Sequence, residues 1–323
     1  MNIETRLTCP SCGAPQQAGD RFCEQCGARL DGEAPEGSDG RRTELDLVVA
    51  AAVSDQGHRH HRNEDSFRLE VSGERNVTVV VCDGISSASA GNVAARDAAR
   101  AAGAVLAEAV ARPERDGQTA ILEAIQAANE AVVQVEWTTR TRRVDPSCTL
   151  VCALCRGSDV KVGWVGDSRA YWFDAEASHQ LTVDDSFGEE AVAQGVLTPE
   201  QAAKTPFLHT ITNWVGPDSP QRPPRVVTLR PERPGRLVLC TDGLWNYAPT
   251  AAELARLVEA LPPDAAPAAV ARALTDTAND RGGHDNITVA VVDIDPSESA
   301  TSSSAPAEVA SESAPADSPR SIP

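Results

Sequence analysis

The chain has 323 residues, of which 41% are hydrophobic and 4% aromatic, enough for one large or two modest domains with a core rich in alanine. Its 47 acidic and 29 basic residues give a formal net charge of −18, so the surface as a whole repels nucleic acid and anionic membranes. The sequence has no leader and no run of about 20 apolar residues, so we expect a cytoplasmic protein with no nucleic-acid or membrane partner.

The first 30 residues contain four of the nine cysteines, in two Cys-x-x-Cys pairs that are ten residues apart. Two such turns can close a tetrahedral zinc site, whereas the alternative, a pair of disulfides, is disfavoured in a reducing compartment. Residues 1–30 are therefore predicted to be a zinc ribbon that folds around its metal, and its balanced charge favours protein contacts. The predicted zinc ligands are Cys9, Cys12, Cys23 and Cys26.

The other five cysteines lie in apolar runs and are predicted to be small buried hydrophobic residues. Cys152 and Cys155 form a further Cys-x-x-Cys, but the surrounding pattern is that of a strand. Residues three apart on a strand point to opposite faces, so this pair is not predicted to bind a metal or to form a disulfide.

Residues 31–43 are rich in glycine and acidic residues and are predicted to be a linker, and the Ser/Ala/Pro/Glu-rich residues 295–323 a disordered tail. Between them, residues 44–294 show a mixed pattern of strands and alanine-rich helices. Because the strands come in runs, antiparallel sheets covered by helices fit better than a doubly wound parallel sheet. The predicted strands are 45–55, 66–71, 77–83, 148–155, 161–167, 169–173, 225–229, 236–242 and 287–294. The predicted helices are 92–111, 118–137, 250–261 and 267–280, with a further one capped by Thr198 and Pro199.

Four aspartates lie where predicted strands meet loops, each near glycine or asparagine: Asp83, Asp167, Asp242 and Asp285. A single Asp-Gly is most simply a turn signal. Four such sites, together with the Asn-Glu-Asp that follows the first predicted strand, weaken that interpretation. Carboxylates gathered without thiolate or imidazole partners suit hard cations such as Mg²⁺ or Mn²⁺.

The order "NED", "DG", "GDSR", "DG", "DN" across residues 44–294 resembles the PPM (type-2C) family of metal-dependent protein phosphatases. The resemblance implies an α+β fold in which two antiparallel sheets form a sandwich with helices on both outer faces, here preceded by the zinc ribbon. It also implies a monomeric enzyme that removes phosphate from phosphoserine and phosphothreonine, opposing a Ser/Thr kinase. In this family two Mg²⁺ or Mn²⁺ ions hold the hydroxide that attacks phosphorus.

The resemblance also implies roles for individual residues. Asp83, the first of the expected catalytic aspartates, bridges the two metals, and the carbonyl of Gly84 binds one of them. Asp242 and Asp285, the other two, hold the first metal.

Glu64 holds the second metal through water, and Asp65 belongs to the same metal site, which it braces. Asn286 orients nearby groups. Asp167 matches the acid that, together with Asp242, binds a third ion in bacterial members.

The phosphate-binding position departs from the family pattern, because His60 stands where an arginine usually binds the substrate phosphate. If this segment is extended, Arg62 faces the same way as Glu64 and can replace that arginine, whereas Arg59 points away. Both His60 and Arg62 therefore remain candidates. Asp185 also stands where histidine is common, and residues 186–220 resemble the family's variable flap. In that flap, His209 and Trp214 are expected to pack in the core.

The alternative to an active enzyme is a catalytically weak phosphatase-like scaffold that binds protein partners through its zinc ribbon. The substitution at His60 and the loss of glycines after Gly84 favour that alternative. The intact Asp83, Asp242 and Asp285 favour the enzyme.

Overall fold

The computed structural model describes residues 41–73, 75–136, 145–220 and 222–297, together with two short paired strands, β1 (Leu7–Thr8) and β2 (Pro15–Gln16). The four predicted zinc ligands, most of the predicted linker and nearly all of the predicted tail lie outside the described residues.

The remaining described strands form two antiparallel sheets. The first contains β3 (Arg42–Asp46), β4 (Ala50–Asp55), β9 (Arg169–Asp174), β10 (Ser178–Gln180), β12 (Gly235–Cys240) and β13 (Ile287–Ile294). The second contains β5 (Asp65–Ser72), β6 (Asn76–Asp83), β7 (Leu150–Arg156), β8 (Asp159–Val165) and β11 (Arg225–Leu229). Their spatial orders are β10-β9-β12-β13-β4-β3 and β11-β8-β7-β6-β5.

Helices cover the outer face of each sheet. The five-stranded sheet is covered by α1 (Gly91–Val110) and α2 (Gly117–Val133), and the six-stranded sheet by α5 (Asp242–Trp245), α6 (Ala251–Glu259) and α7 (Pro267–Asp280). Two short helices, α3 (Phe187–Ala193) and α4 (Pro199–Ala202), lie in the segment 186–220. The predicted fold class, a two-sheet sandwich with helices on both outer faces, is confirmed. No helix among the described residues is long and apolar enough to cross a membrane.

The core has three apolar layers because the strands alternate between two buried faces. In β6, Val79 and Val81 pack between the sheets, whereas Val80 and Cys82 pack under α1 and α2. Cys152 and Cys155 likewise lie in different layers, as their spacing on one strand predicts. Burial raises the pKa of both thiols to about 12, and all five described cysteines are buried and unpaired. The prediction that they serve as buried hydrophobic residues is confirmed.

The first predicted strand is wrong in one respect, because residues 45–55 form a β-hairpin and not a single strand. Val48 adopts the left-handed conformation at φ 70°, and the Asp46 carboxylate accepts a hydrogen bond from the Val48 N–H at 3.0 Å. A local side-chain bond of this kind favours a turn over continued strand. It reverses the chain and adds β3 to the edge of the sheet.

The caps of two helices follow the sequence pattern closely. Thr198 caps α4 and Thr250 caps α6, and each forms a capping box with the residue three positions later, Gln201 and Glu253 respectively. The short elements α3, α5 and β10 were not predicted, because seven residues or fewer carry too little periodicity to recognise.

Replacing Val48 by asparagine is expected to stabilise the protein by about 1 kcal/mol, because a β-branched residue is strained in the left-handed conformation and asparagine tolerates it. Chemical denaturation measures the change. Val48 is 79% exposed, so the substitution removes little packing. The matched control is Val196→Asn, at a 67% exposed valine whose φ is not positive. An equal gain in both variants would contradict the assignment to backbone strain.

Candidate active site

The predicted acidic residues meet at one end of the sandwich. Asp65 begins β5 and lies opposite Asp83, which ends the neighbouring strand β6. On the other sheet Asp242 follows β12, and Asp285 precedes β13, the strand paired with β12. Asp167 lies in the turn from β8 to β9. Burial raises the pKa of Asp83 well above its usual range, and the charges of the other four aspartates raise it further.

Asp65 joins the two sheets. Its Oδ2 accepts hydrogen bonds from the hydroxyl groups of Thr241 at 2.9 Å and Thr288 at 2.7 Å, both on the six-stranded side. Since the Thr288 proton points to Asp65, the 2.8 Å contact between Thr288 and Ser54 must be donated by Ser54. Ser54 in turn accepts from Asn63 Nδ2 at 2.8 Å. Four polar side chains thus fix the position of this one carboxylate.

The second oxygen of Asp65 is buried and has no hydrogen-bond partner, and the same is true of Oδ1 of Asp242. Burial raises the pKa of Asp65 to about 8, although its two hydroxyl donors oppose the shift. Burial and the charge of Asp285 raise the pKa of Asp242 to about 6. Two unsatisfied oxygens in a group of buried acids indicate a site built for a positive ligand.

Asn286 holds the loop that carries Glu64. Its Oδ1 accepts the Glu64 N–H at 2.7 Å, and its Nδ2 donates to the carbonyls of Gln56 at 2.7 Å and Arg62 at 3.1 Å. Gly84, after Asp83, donates its N–H to the Glu64 carbonyl at 3.2 Å. A Cβ on Gly84 would lie 2.5 Å from the backbone of Gly91, so only glycine fits there.

Asp167 is held by its backbone. The Trp245 indole donates to the Asp167 carbonyl at 3.0 Å, and the Arg169 guanidinium stacks 3.8 Å above the Trp245 ring. Arg169 is also paired with the buried Asp184 through two nitrogens, at 2.9 and 2.7 Å. Burial, followed by the charge of Asp242, raises the pKa of the Asp167 carboxyl.

Asp185 fastens the segment 186–220 to the turn that carries Asp167. Its carboxylate accepts from the Gly166 N–H at 3.0 Å and from Asn213 Nδ2 at 3.2 Å, and it pairs with Arg225. Asp185, which stands where the family commonly has histidine, therefore connects three separate parts of the chain, and it is 3% exposed.

His60 and Arg62 each face an acid of the site. His60 Nε2 lies 3.1 Å from Asp285 Oδ1, and Arg62 Nη2 lies 3.1 Å from Glu64 Oε1. Residues 57–62 form turns and bends. The segment is therefore not extended, which was the condition under which Arg62 would face the same way as Glu64. The structure brings both candidates to the site and so does not choose between them.

The expectation that His209 and Trp214 pack in the core is wrong, because His209 is exposed and Trp214 is only half-buried on the surface segment 186–220. The His209 ring lies 5.3 Å from the Trp245 ring, and burial with the nearby Arg169 lowers its pKa. Trp214 donates its indole N–H to Asp218 at 3.0 Å.

The oxygen donors of this site fit a hard divalent cation in kind, since carboxylates and a glycine carbonyl are available and two buried carboxylate oxygens lack partners. As the side chains stand, no three His, Cys, Asp or Glu residues within the described ranges are grouped closely enough to hold a metal ion. Two of the acidic side chains form ion pairs with basic residues, Asp285 with His60 and Glu64 with Arg62. The donor set is therefore present, but the side chains are not arranged around one point.

Sequence reasoning missed Thr241, Thr288 and Ser54, which position Asp65. Thr288 interrupts the apolar run of β13 and is fully buried, as is Thr241, which follows the apolar β12. A polar residue at a core position of a strand pattern is the signal that identifies such supporting groups.

These features define a two-sheet α+β protein with a buried group of carboxylates at one end of its sandwich. Residues 56–304 match the family model described as Protein phosphatase 2C, and the chain belongs to that family. Residues 8–30 match a model described as a zinc-ribbon domain.

The relatives and solved structures that the chain resembles agree with this family membership. The chain is 29% identical to the Serine/threonine phosphatase stp of Listeria innocua serovar 6a over 241 residues, 74% of this chain and 93% of that protein. It resembles the crystal structure of Serine/threonine phosphatase Stp1 from Staphylococcus aureus, with a TM-score of 0.65 and 26% identity over 79% of this chain and 99% of that one. It also resembles the catalytic domain of PstP in complex with two manganese ions, with a TM-score of 0.58 and 27% identity over 79% of this chain and all of that one.

The metal-free protein is expected to lose stability as pH rises from about 5 to 8. Asp65 and Asp242 have folded-state pKa values of about 8 and about 6, above the value of about 4 in an unfolded chain. In this range the folded state binds more protons than the unfolded state, so the free energy of unfolding falls, by up to about 1.4 kcal/mol per pH unit for each group. Denaturation in chelator measures the slope.

Asp65→Asn should reduce that slope, whereas Asp264→Asn, at an exposed turn, should leave it unchanged. Mn²⁺ should restore stability, and more so at pH 8 than at pH 5, because a cation compensates the ionised carboxylates. A free energy of unfolding that rises with pH in both aspartate variants and in the unaltered chain would contradict the assignment.

Proposed function

We propose that this protein is a metal-dependent protein phosphatase that hydrolyses phosphoserine and phosphothreonine, in opposition to a Ser/Thr kinase. The observation that carries the proposal is the meeting, at one end of the sandwich, of the family's acidic motifs from five separate strand ends. Membership of the protein phosphatase 2C family and relatives that are named serine/threonine phosphatases support it.

We propose that the six carboxylates and the Gly84 carbonyl bind Mn²⁺ or Mg²⁺ ions, two of them the catalytic pair and a third beside them. Asp83 lies opposite Asp65 in the pairing of β5 with β6 and would help to hold both ions of the catalytic pair. Asp242 and Asp285 would hold the first ion and Glu64 the second. Asp65, fixed by Thr241 and Thr288, braces the site and offers its unpaired Oδ1. Asp167 with Asp242 would hold a third ion.

When bound, the cations lower the pKa of a water molecule and neutralise charge on the phosphoryl oxygens. The chain's own residues have two tasks. His60 or Arg62 binds the phosphate, because each already reaches an acid at the site and carries N–H donors. Asn286 and Asp185 hold the two loops that carry Glu64 and Asp167 in place. No protein nucleophile takes part.

We also propose that Cys9, Cys12, Cys23 and Cys26 bind Zn²⁺ in a ribbon that contacts other proteins, which the match of residues 8–30 supports. We place the protein in the cytoplasm, a reducing compartment that suits its five described unpaired thiols, and we propose separately that it acts as a monomer.

The full-length protein should hydrolyse a phosphothreonine peptide only when Mn²⁺ or Mg²⁺ is added, and chelator should abolish turnover. Asp242→Ala should lower kcat at least about 100-fold, since it removes a ligand placed at the reacting atoms. Phosphate release measures the rate. Equal rates in the two proteins would favour the alternative, a phosphatase-like scaffold that recruits partners through its zinc ribbon.

The His60→Arg substitution separates the two candidates for phosphate binding. If His60 binds the phosphate, arginine should lower KM several-fold, because a guanidinium is always charged and can donate two parallel hydrogen bonds. If Arg62 binds it, His60→Arg should do little and Arg62→Ala should raise KM about tenfold. If neither substitution changes KM, the phosphate is bound elsewhere.

A further inference from the structure

Two loops far apart in sequence meet beside the site and form what we call the basic rim, residues 57–62 and 281–284. The His58 N–H donates to the Gly283 carbonyl at 2.8 Å. A Cβ on Gly57 would lie 2.1 Å from the Asp285 carbonyl oxygen, and one on Gly283 would lie 2.8 Å from the His58 ring. The glycines therefore allow the two loops to pack backbone against backbone.

The basic rim has an unusual composition for so acidic a protein. Its ten residues comprise three glycines and seven basic residues, with no acid, in a chain whose net charge is −18. It contains four of the chain's six histidines. The basic residues of the rim are His58, Arg59, His60, His61, Arg62, Arg281 and His284.

Three of these side chains already have partners, since His60 faces Asp285, Arg62 faces Glu64, and Arg281 donates to the Tyr247 carbonyl. Arg59 and His61 are exposed, and neither forms a hydrogen bond or ion pair within the described part of the chain.

Several exposed arginines elsewhere are paired with acids. Arg112 lies 2.8 Å from Glu108, Arg272 lies 2.6 Å from Glu44, and Arg230 lies 3.2 Å from Asp159. Arg59 has no such partner among the described residues, and it lies next to His60, one of the two candidates for phosphate binding.

We propose that the basic rim binds acidic side chains that flank the phosphorylated residue, so that the preferred substrates are phosphoprotein segments rich in Asp and Glu. This inference rests on the proposed phosphatase function. His60 and Arg62, the two candidates for phosphate binding, belong to the rim. Since an extended peptide advances about 3.3–3.6 Å per residue, the other side chains of the rim can reach substrate residues within a few positions of the phosphorylated one. The rim attracts an acidic peptide segment, whereas the rest of the protein surface is acidic and repels that segment. The contrast directs the segment to the rim.

The test compares two phosphothreonine peptides that are identical except for Asp and Glu or Ala and Gln at the flanking positions. The measurement is kcat/KM with Mn²⁺ for the full-length protein. We expect a preference for the acidic peptide that weakens as NaCl is raised from 50 to 500 mM, because exposed charge pairs are screened.

Arg59→Ala and His61→Ala should each reduce the preference about two- to fivefold, the range measured for partly exposed charge pairs, and Arg59→Glu should reduce it further. The control is Arg100→Ala, an exposed arginine on α1, the helix that covers the outer face of the five-stranded sheet, and it should leave the ratio of the two kcat/KM values unchanged.

Equal kcat/KM values for the two peptides, or an equal loss of preference in Arg100→Ala, would overturn the role of the rim while leaving the phosphatase function standing. Failure of the unaltered protein to hydrolyse either peptide would instead overturn the proposed function itself.

Discussion

The site depends on one buried carboxylate, that of Asp65, which two threonines hold from the opposite sheet. Asp65 begins a strand of the five-stranded sheet, whereas Thr288 belongs to the six-stranded sheet, so their hydrogen bond fixes the register of one sheet against the other. Removing one partner of such a buried bond typically costs about 1–3 kcal/mol. Asp65 also lies opposite Asp83 in the pairing of β5 with β6, so a residue that joins the two sheets also belongs to the site.

Around that anchor, each loop of the site is held by a polar side chain from elsewhere in the chain. Asn286 holds the loop of Glu64, and Asp185 joins the turn of Asp167 to the segment 186–220. Buried side chains with several partners have little freedom, which suits the positioning of charged groups. Asp185 stands where the resemblance to the family predicts histidine, and its carboxylate pairs with Arg225.

Local patterns in the sequence predicted antiparallel sheets, the long helices and the acids at strand ends, because strand runs, helical periodicity and Asp-Gly signals lie within short windows; the two-sheet sandwich followed from the resemblance to the family. It missed the turn at Val48, since nothing about a valine there predicts a left-handed residue. It also left His60 and Arg62 unresolved, and the structure shows why: both face acids of the site from a loop that is not extended.

By itself, the sequence determined which residues carry charge at the ends of strands, and these carboxylates predict a hard cation as ligand, whereas the phosphate followed from the resemblance to the family. Only the tertiary structure decided which distant residues support them. Thr241 and Thr288 meet Asp65 across more than 170 positions of sequence, and His58 meets Gly283 across more than 220. Such contacts depend on how two sheets and their loops pack, and no pattern within a short window of sequence encodes that packing.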